Sequence, residues 1–293
     1  MGAGDPPAVG YLGPEGTFSE EALLASVLEG AVAPVARETI RDAVLAVRDH
    51  AVRWALVPIE NSIEGSVTVT LDTLVGEAAG VFIVGELVLA VRHNLIARAP
   101  TALAEIQTIV SHPHVPGQCS RFLHGQLPRA RVVAASSTAE AVRRVAEDPT
   151  GQLAAIGTEL AARLYGCAVV AEAIQDRADN ETRFVWLARS PDAGTEIAPL
   201  LRTRASDRAK TSLVFWGAGA DRAGWLVRCL DEFAMRQINL TKIESRPMRE
   251  RLGQYMFFLD LEGSTATPVL AAALERLREQ CEQVRVLGSY AAA

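Results

Sequence analysis

From Val9 onward the chain alternates short apolar runs with segments of helical hydrophobic spacing. That rhythm is the pattern of a parallel-sheet α/β protein, and it restricts the chain to that class. Residues 9–12, 32–36 and 54–58 read as strands, with helices over 18–28 and 40–47 between them. Further strands are expected at 108–111, 131–135 and 154–157, each leading into helical spacing. Thr17 with Glu20, and Ser137 with Glu140, have the spacing of a capping box at a helix start. Gly166 stands where a helix beginning near Thr158 should stop.

The rhythm breaks after residue 190. The stretch "SPDAGTEIAPLLRTRASDRAK" carries Pro, Gly and mixed charge without periodicity, which predicts a linker over 191–209. Beyond it the spacing predicts a strand (211–216), a helix (224–235), two strands (238–247 and 254–261), a helix (268–280) and a last strand (284–287). The order βαββαβ is the ferredoxin-like plan, a small domain over 210–293 with helices on one face of an antiparallel sheet.

Composition excludes several classes of function. The net charge of −6 argues against nucleic acid as a partner, because phosphate binding needs clustered basic surface. No run of about 18 apolar residues suggests a membrane span, and "MGAGDPPAVG" shows no export signal, so a cytoplasmic protein is expected. Cys119, Cys167, Cys229 and Cys281 lie too far apart for a metal knuckle and read as buried free thiols. Lys210 and Lys242 are the only lysines, so the first 209 residues hold no Walker lysine and no Schiff-base lysine.

Four polar clusters fall where a predicted strand gives way to a loop or helix. "GPEGTFSEEA" combines Gly13 and Gly16, which permit tight backbone geometry, with a helix start that attracts carboxylates or phosphates. An ordinary capped turn fits those residues as well. In "VPIENSIEGS" a strand braced by Pro58 runs into Glu60, Asn61 and Ser62, one titratable group and two neutral hydrogen-bonders. In "SHPHVPGQC" the pair His112 and His114 lacks a third metal ligand nearby, whereas Ser111 and Gln118 can orient a ligand without carrying charge. The fourth cluster is Thr182 and Arg183, at the head of an apolar run that reads as a strand. Ligands of open α/β sheets gather outside the carboxyl ends of strands, which is where such clusters fall.

The ordered set GPEGTF, VPIENSIEGSV, SHP followed by Gln118-Cys119, IQD, and Asn-x-Thr-Arg-Phe at 180–184 resembles prephenate dehydratase. "INLTKIESRP" is similar to the ligand-binding segment of that family's ACT regulatory domain, and the match spans about residues 8–290. The resemblance implies a catalytic unit over 1–190 of two α/β lobes, like a type II periplasmic binding protein. One lobe would comprise about 8–88 plus 172–190, the other about 89–171, with the site in the cleft between them. The implied reaction takes prephenate to phenylpyruvate, carbon dioxide and water without any cofactor or metal. Arogenate as substrate, a decarboxylase that leaves the ring non-aromatic, and an amino-acid sensor without chemistry are the alternatives.

Within that frame Thr182 is the expected donor to the departing ring hydroxyl, with Glu60 as the alternative acid if burial raises its pKa. Thr17, Phe18 and Ser19 at the helix start, with Asn61, Ser62, Ser111, Gln118, Arg183 and Phe184, are expected to bind substrate; Arg183 either meets a carboxylate or pairs with Glu181. The resemblance further implies an amino-acid effector, phenylalanine, held between ACT domains of a homodimer or homotetramer. Gly224, Leu226, Asn239, Leu240, Glu244, Ser245, Arg246 and Pro247 would hold it. Here the chain departs from the family's usual Pro-Gly-Ala-Leu: it has Ala223-Gly224-Trp225-Leu226. The indole either fills the effector pocket, points into a neighbouring subunit or changes effector choice.

Overall fold

The computed structural model describes residues 5–202, 206–217, 219, 222–248 and 252–293. Strands β1 (Ala8–Leu12), β2 (Ala33–Arg37) and β3 (Trp54–Asn61) alternate with helices α1 (Phe18–Ser26) and α2 (Ile40–Arg48). The first lobe continues through β4 (Gly65–Ser66), α3 (Thr68–Gly76) and β5 (Phe82–Ala90). A second lobe follows, made of β6 (Asn94–Ala97), β7 (Thr108–Ser111), α4 (Val115–Gln118), α5 (Ser120–Gln126), β8 (Arg131–Ala134), α6 (Thr138–Ala146), β9 (Leu153–Gly157), α7 (Glu159–Leu164) and β10 (Ala168–Ala171). The chain then returns to the first lobe as β11 (Glu181–Ala188).

The first sheet has the order β2-β1-β3-β11-β5 and the second β10-β6-β9-β7-β8. In each, the strands that alternate with helices are parallel, and the crossing strand runs antiparallel to its neighbours. Apolar β1 is buried through its centre, as a strand covered on both faces must be. The amphipathic α2 turns Ala43, Val44 and Val47 onto that sheet and leaves its charged ends outside. The two lobes are joined by adjacent passages, one leaving at 91–93 and one returning at 172–180. They touch at the junction, where the Val91 N–H donates to Asn180 O at 2.8 Å.

Beyond β11, α8 (Ala193–Ile197) seals the first lobe with buried Ala193 and Ile197, so the segment expected as a plain linker is partly ordered. Residues 203–205 of that segment lie outside the described residues. The C-terminal domain comprises β12 (Ala209–Trp216), α9 (Trp225–Ala234), β13 (Leu240–Pro247), β14 (Tyr255–Glu262), α10 (Pro268–Gln280) and β15 (Gln283–Ala291). Its antiparallel order β13-β14-β12-β15 is the ferredoxin-like arrangement. Helices α9 and α10 cover one face. The other face rests on the first lobe, where Val214, Phe258 and Leu287 join Val57, Ile83, Val185 and Leu187 in one buried cluster. Each such side chain, fully buried, contributes roughly 1.5–3 kcal/mol. The approach is close enough that a Cβ on Gly288 would stand 2.0 Å from the Ile83 carbonyl oxygen, so only glycine fits there.

Among the described residues, no helix is long and apolar enough to cross a membrane.

Candidate active site

The bend of β3 into β4 builds the centre of the site. Strand β3 runs on past Pro58 to Asn61, further than its apolar run suggests. Pro58 is tolerated because the pairing with β1 ends at Leu56, so no ladder bond needs its missing N–H. Opposite β11, the register pairs Thr182 with Asn61 and Arg183 with Glu60, then slips so that Phe184 meets Pro58. Ile59 is the extra residue of a bulge. Its insertion resets the alternation, and Pro58 and Asn61, three residues apart, both turn toward the same cavity as Thr182 and Phe184.

That cavity, about 460 Å³, lies between the lobes. Thr17, Phe18 and Ser19 enter it from the first lobe at the start of α1, and Ser136, Ser137 and Thr138 from the second at the start of α6. Thr17 and Ser137 are the N-caps of these helices, each accepting from the backbone N–H of Glu20 and Glu140 respectively. Two helix N-termini thus converge on one space, and among the described residues no Lys or Arg lines it. The dipoles of two helix starts favour an anion there, which suits carboxylates without pinning them by ion pairs. Among the described residues Glu38 is the one carboxylate on its wall, and it is exposed.

A chain of amides and rings crosses the floor. The Asn61 Nδ2 donates to Thr182 Oγ1 at 2.9 Å and to Asn180 Oδ1 at 2.9 Å. Asn61 Oδ1 accepts from the backbone N–H groups of Ile63 and Glu64, which fixes its amide orientation. Asn180 Nδ2 donates to Gln118 Oε1 at 3.1 Å, and His93 Nε2 lies 3.1 Å from the same oxygen. Gln118 reaches back across the cleft to Glu64 at 3.0 Å. A second bridge, from Thr158 Oγ1 to Gly16 O at 2.8 Å, holds the lobes together at the other end. Burial lowers the pKa of His93, more than its contact with Gln118 raises it. His112 is lowered as well, by partial burial and by its neighbour His114.

Of the residues expected from sequence, Thr17, Phe18, Ser19, Asn61, Gln118, Thr182 and Phe184 line this cavity. Four do not. Strand alternation sends Glu60 and Arg183 to the opposite face of the sheet, where Arg183 pairs with Glu60, Glu86 and Asp260 and not with Glu181. Glu60 meets Lys242 as well, at 3.6 Å, on the face of the sheet away from the cavity. Ser111 is fully buried behind His112, and Ser62 bonds to the backbone of Asp179 and Glu181, tying the β3–β4 turn to β11. Asn180, His93, His112 and the 136–138 cap also line the cavity, although none of them is expected there from sequence. Asn180 sits inside the Asn-x-Thr-Arg-Phe run and Ser137 was seen as a cap, so both left a signal; nothing local marks His93.

A second cavity, about 200 Å³, opens on the C-terminal domain beside Gly224, Leu226, Val227, Tyr255 and Phe257. Trp225 does not fill it. Trp225 is 5% exposed, and its ring packs between Phe215 and Phe257 and donates through Nε1 to Gln280 O at 2.8 Å. Along β13, Glu244 and Arg246 face the first lobe, where Arg246 pairs with Asp72 at 2.7 Å, while Ser245 and Pro247 are exposed on the other side. Asn239 and Leu240 lie at the head of that strand, where the Asn239 carbonyl accepts from Glu262 N–H and Leu240 packs under α9.

A family model described as prephenate dehydratase matches residues 9–192. A prephenate dehydratase of Amycolatopsis methanolica is 41% identical over 287 residues, covering 97% of this chain and 88% of the relative. Among solved structures, a prephenate dehydratase of Arthrobacter aurescens in complex with L-Phe superposes with a TM-score of 0.82 at 35% identity, covering 97% of this chain and 90% of the other. GqqA, described as a quorum-quenching acylase, also superposes at 0.82, with 28% identity and 98% of both chains covered.

Proposed function

Because the chain belongs to the prephenate dehydratase family, we propose that the cleft converts prephenate to phenylpyruvate, carbon dioxide and water, with the Thr182 hydroxyl donating to the departing oxygen. One observation carries the assignment to Thr182. Asn61 donates to Thr182 Oγ1, so a lone pair of that oxygen is already occupied and the O–H is left to point into the cavity. A threonine hydroxyl is too weak an acid to surrender its proton outright. It acts by stabilising charge that grows on the leaving oxygen, an effect worth about 2.7–4 kcal/mol for a well-placed donor.

The two carboxylates of the substrate are read onto the two helix starts, at Thr17–Ser19 and at Ser136–Thr138. Dipoles hold an anion less firmly than a guanidinium does, which matters for a ring carboxylate that must leave as carbon dioxide. Phe18 and Phe184 offer apolar surface to the ring, and aromatisation drives the collapse. The acylase-like neighbour suggests a nucleophile instead. Among the described residues, however, no lining hydroxyl bonds to a ring nitrogen of His93 or His112, the pairing that would activate one.

Phenylalanine is the proposed effector, bound beside Gly224 and Leu226 and completed by Ser245 and Pro247 of a second copy in a homodimer. The L-Phe complex of the Arthrobacter relative supports this reading, as do the exposed Val227, Ile243 and Tyr255 on that side of the domain. Incubation with prephenate, followed by the absorbance of phenylpyruvate in alkali, tests the activity. No phenylpyruvate would overturn it, and carbon dioxide release without phenylpyruvate would mark a non-aromatising decarboxylase.

A further inference from the structure

Arg183 lies between two residues of the active-site wall yet points the other way, into the seam between the first lobe and the C-terminal domain. Its side chain is 11% exposed and its guanidinium reaches three carboxylates, one from each of three strands: Glu60 on β3 at 3.0 Å, Glu86 on β5 at 3.0 Å and Asp260 on β14 at 2.7 Å. The first two come from the strands that flank β11 in its own sheet. The third comes from the regulatory domain, where Ser212 Oγ donates to the other oxygen of Asp260 at 2.5 Å and pairs with the Tyr290 hydroxyl at 2.8 Å.

The same domain grips the other two carboxylates. Lys210 reaches Glu86 at 2.5 Å, and Lys242 reaches Glu60 at 3.6 Å while also lying 3.5 Å from Glu244. Each carboxylate that holds Arg183 is therefore either supplied by the regulatory domain or neutralised by one of its lysines. In register, the Arg183–Glu60 pair is the next rung of the ladder after Thr182–Asn61. Successive residues of a strand share a rigid backbone, so the direction of the Thr182 hydroxyl depends on how firmly its neighbour is anchored from behind.

We propose that Arg183 is a positioning residue, and that through Asp260 the regulatory domain supplies the anchor that aims the Thr182 hydroxyl at the substrate. The inference rests on the reading of Thr182 as donor. It assigns the Arg of the Thr-Arg-Phe run no contact with substrate. It also makes the domain seam a working part of the catalytic unit, since a displacement of β14 against the first lobe is felt one residue from the reacting oxygen.

Asp260→Asn tests it, because the amide keeps the shape and removes the charge outside the cavity. Expected is a fall in kcat of about tenfold with KM changed less than about threefold, since small misplacements of a catalytic group act on the chemical step. Repeating the substitution in a Thr182→Val background separates positioning from general loosening. If Asp260 acts through Thr182, the residual rate of Thr182→Val does not fall further; a loosened fold would lower both backgrounds by the same factor. Should Asp260→Asn fail to fold, Lys242→Gln, which frees Glu60 together with Glu244 and Ser66, carries the same cycle with an expected fall of about threefold in kcat. Wild-type kcat in folded Asp260→Asn, or equal losses in both backgrounds, overturns the proposal. Wild-type turnover by Thr182→Val alone overturns the donor reading itself, and the anchor with it.

Discussion

Asn61 and Thr182 face each other across β3 and β11, with Asn61 Nδ2 2.9 Å from Thr182 Oγ1. Thr182→Ala removes the hydroxyl and leaves the strand intact, so kcat should drop by at least about 100-fold with little change in KM. Steady-state kinetics with prephenate check this, and an unchanged circular dichroism spectrum shows that the fold is kept.

The two helix starts make a prediction with opposed signs. Ser136 is exposed at the entry of α6 and lines the cavity. In Ser136→Asp the new carboxylate stabilises the helix by about 0.3–1 kcal/mol, yet it repels an anionic substrate from the same dipole. Thermal stability should rise slightly while KM increases about tenfold at low salt. A KM unchanged in low and high salt would remove the helix from carboxylate binding.

Docking of the two domains leans on Gly288, where a Cβ would meet the Ile83 carbonyl at 2.0 Å. Gly288→Ala forces β15 and β5 apart and should cost about 1–3 kcal/mol, the usual range for overpacking. Denaturant unfolding measures it, and a midpoint equal to that of the parent would mean that the seam yields freely.

His93 gives a pH dependence. Burial holds its folded pKa below the ordinary 6.5, so the unfolded chain binds more protons between those two values. The stability associated with the neutral ring is present above pH 6.5 and lost as pH falls through the folded value. His93→Gln does not titrate there. Its unfolding free energy should decline less than that of the parent between about pH 7.5 and pH 5; parallel slopes would show that His93 carries no such linkage.

The βα rhythm made the parallel strands legible because each is a short apolar run with its own helix. Strands β5, β6 and β10 were harder to read, since their neighbours come from distant parts of the chain. The Thr182 cluster could be read because its motif lies within one strand. The facing of Glu60 and Arg183 is hidden because the apolar run of β3 stops at Pro58 while the strand itself continues to Asn61. Extending that strand to Asn61 turns Glu60 and Arg183 away from the cavity together. The bulge at Ile59 then brings Pro58 back, and no run of residues announces it. His93 gains its place only from the passage between lobes, which is a property of topology and not of local spacing.

Entry to and exit from the second lobe lie side by side, with Ala90 and Glu181 paired in register. In architectural terms that lobe is an insert on a two-stranded stalk, and the C-terminal domain fastens to the host sheet through β5, β11 and α3. Residues 94–171 carry Gln118 and Thr158, so the insert can swing on that stalk only by giving up their contacts with Glu64 and Gly16.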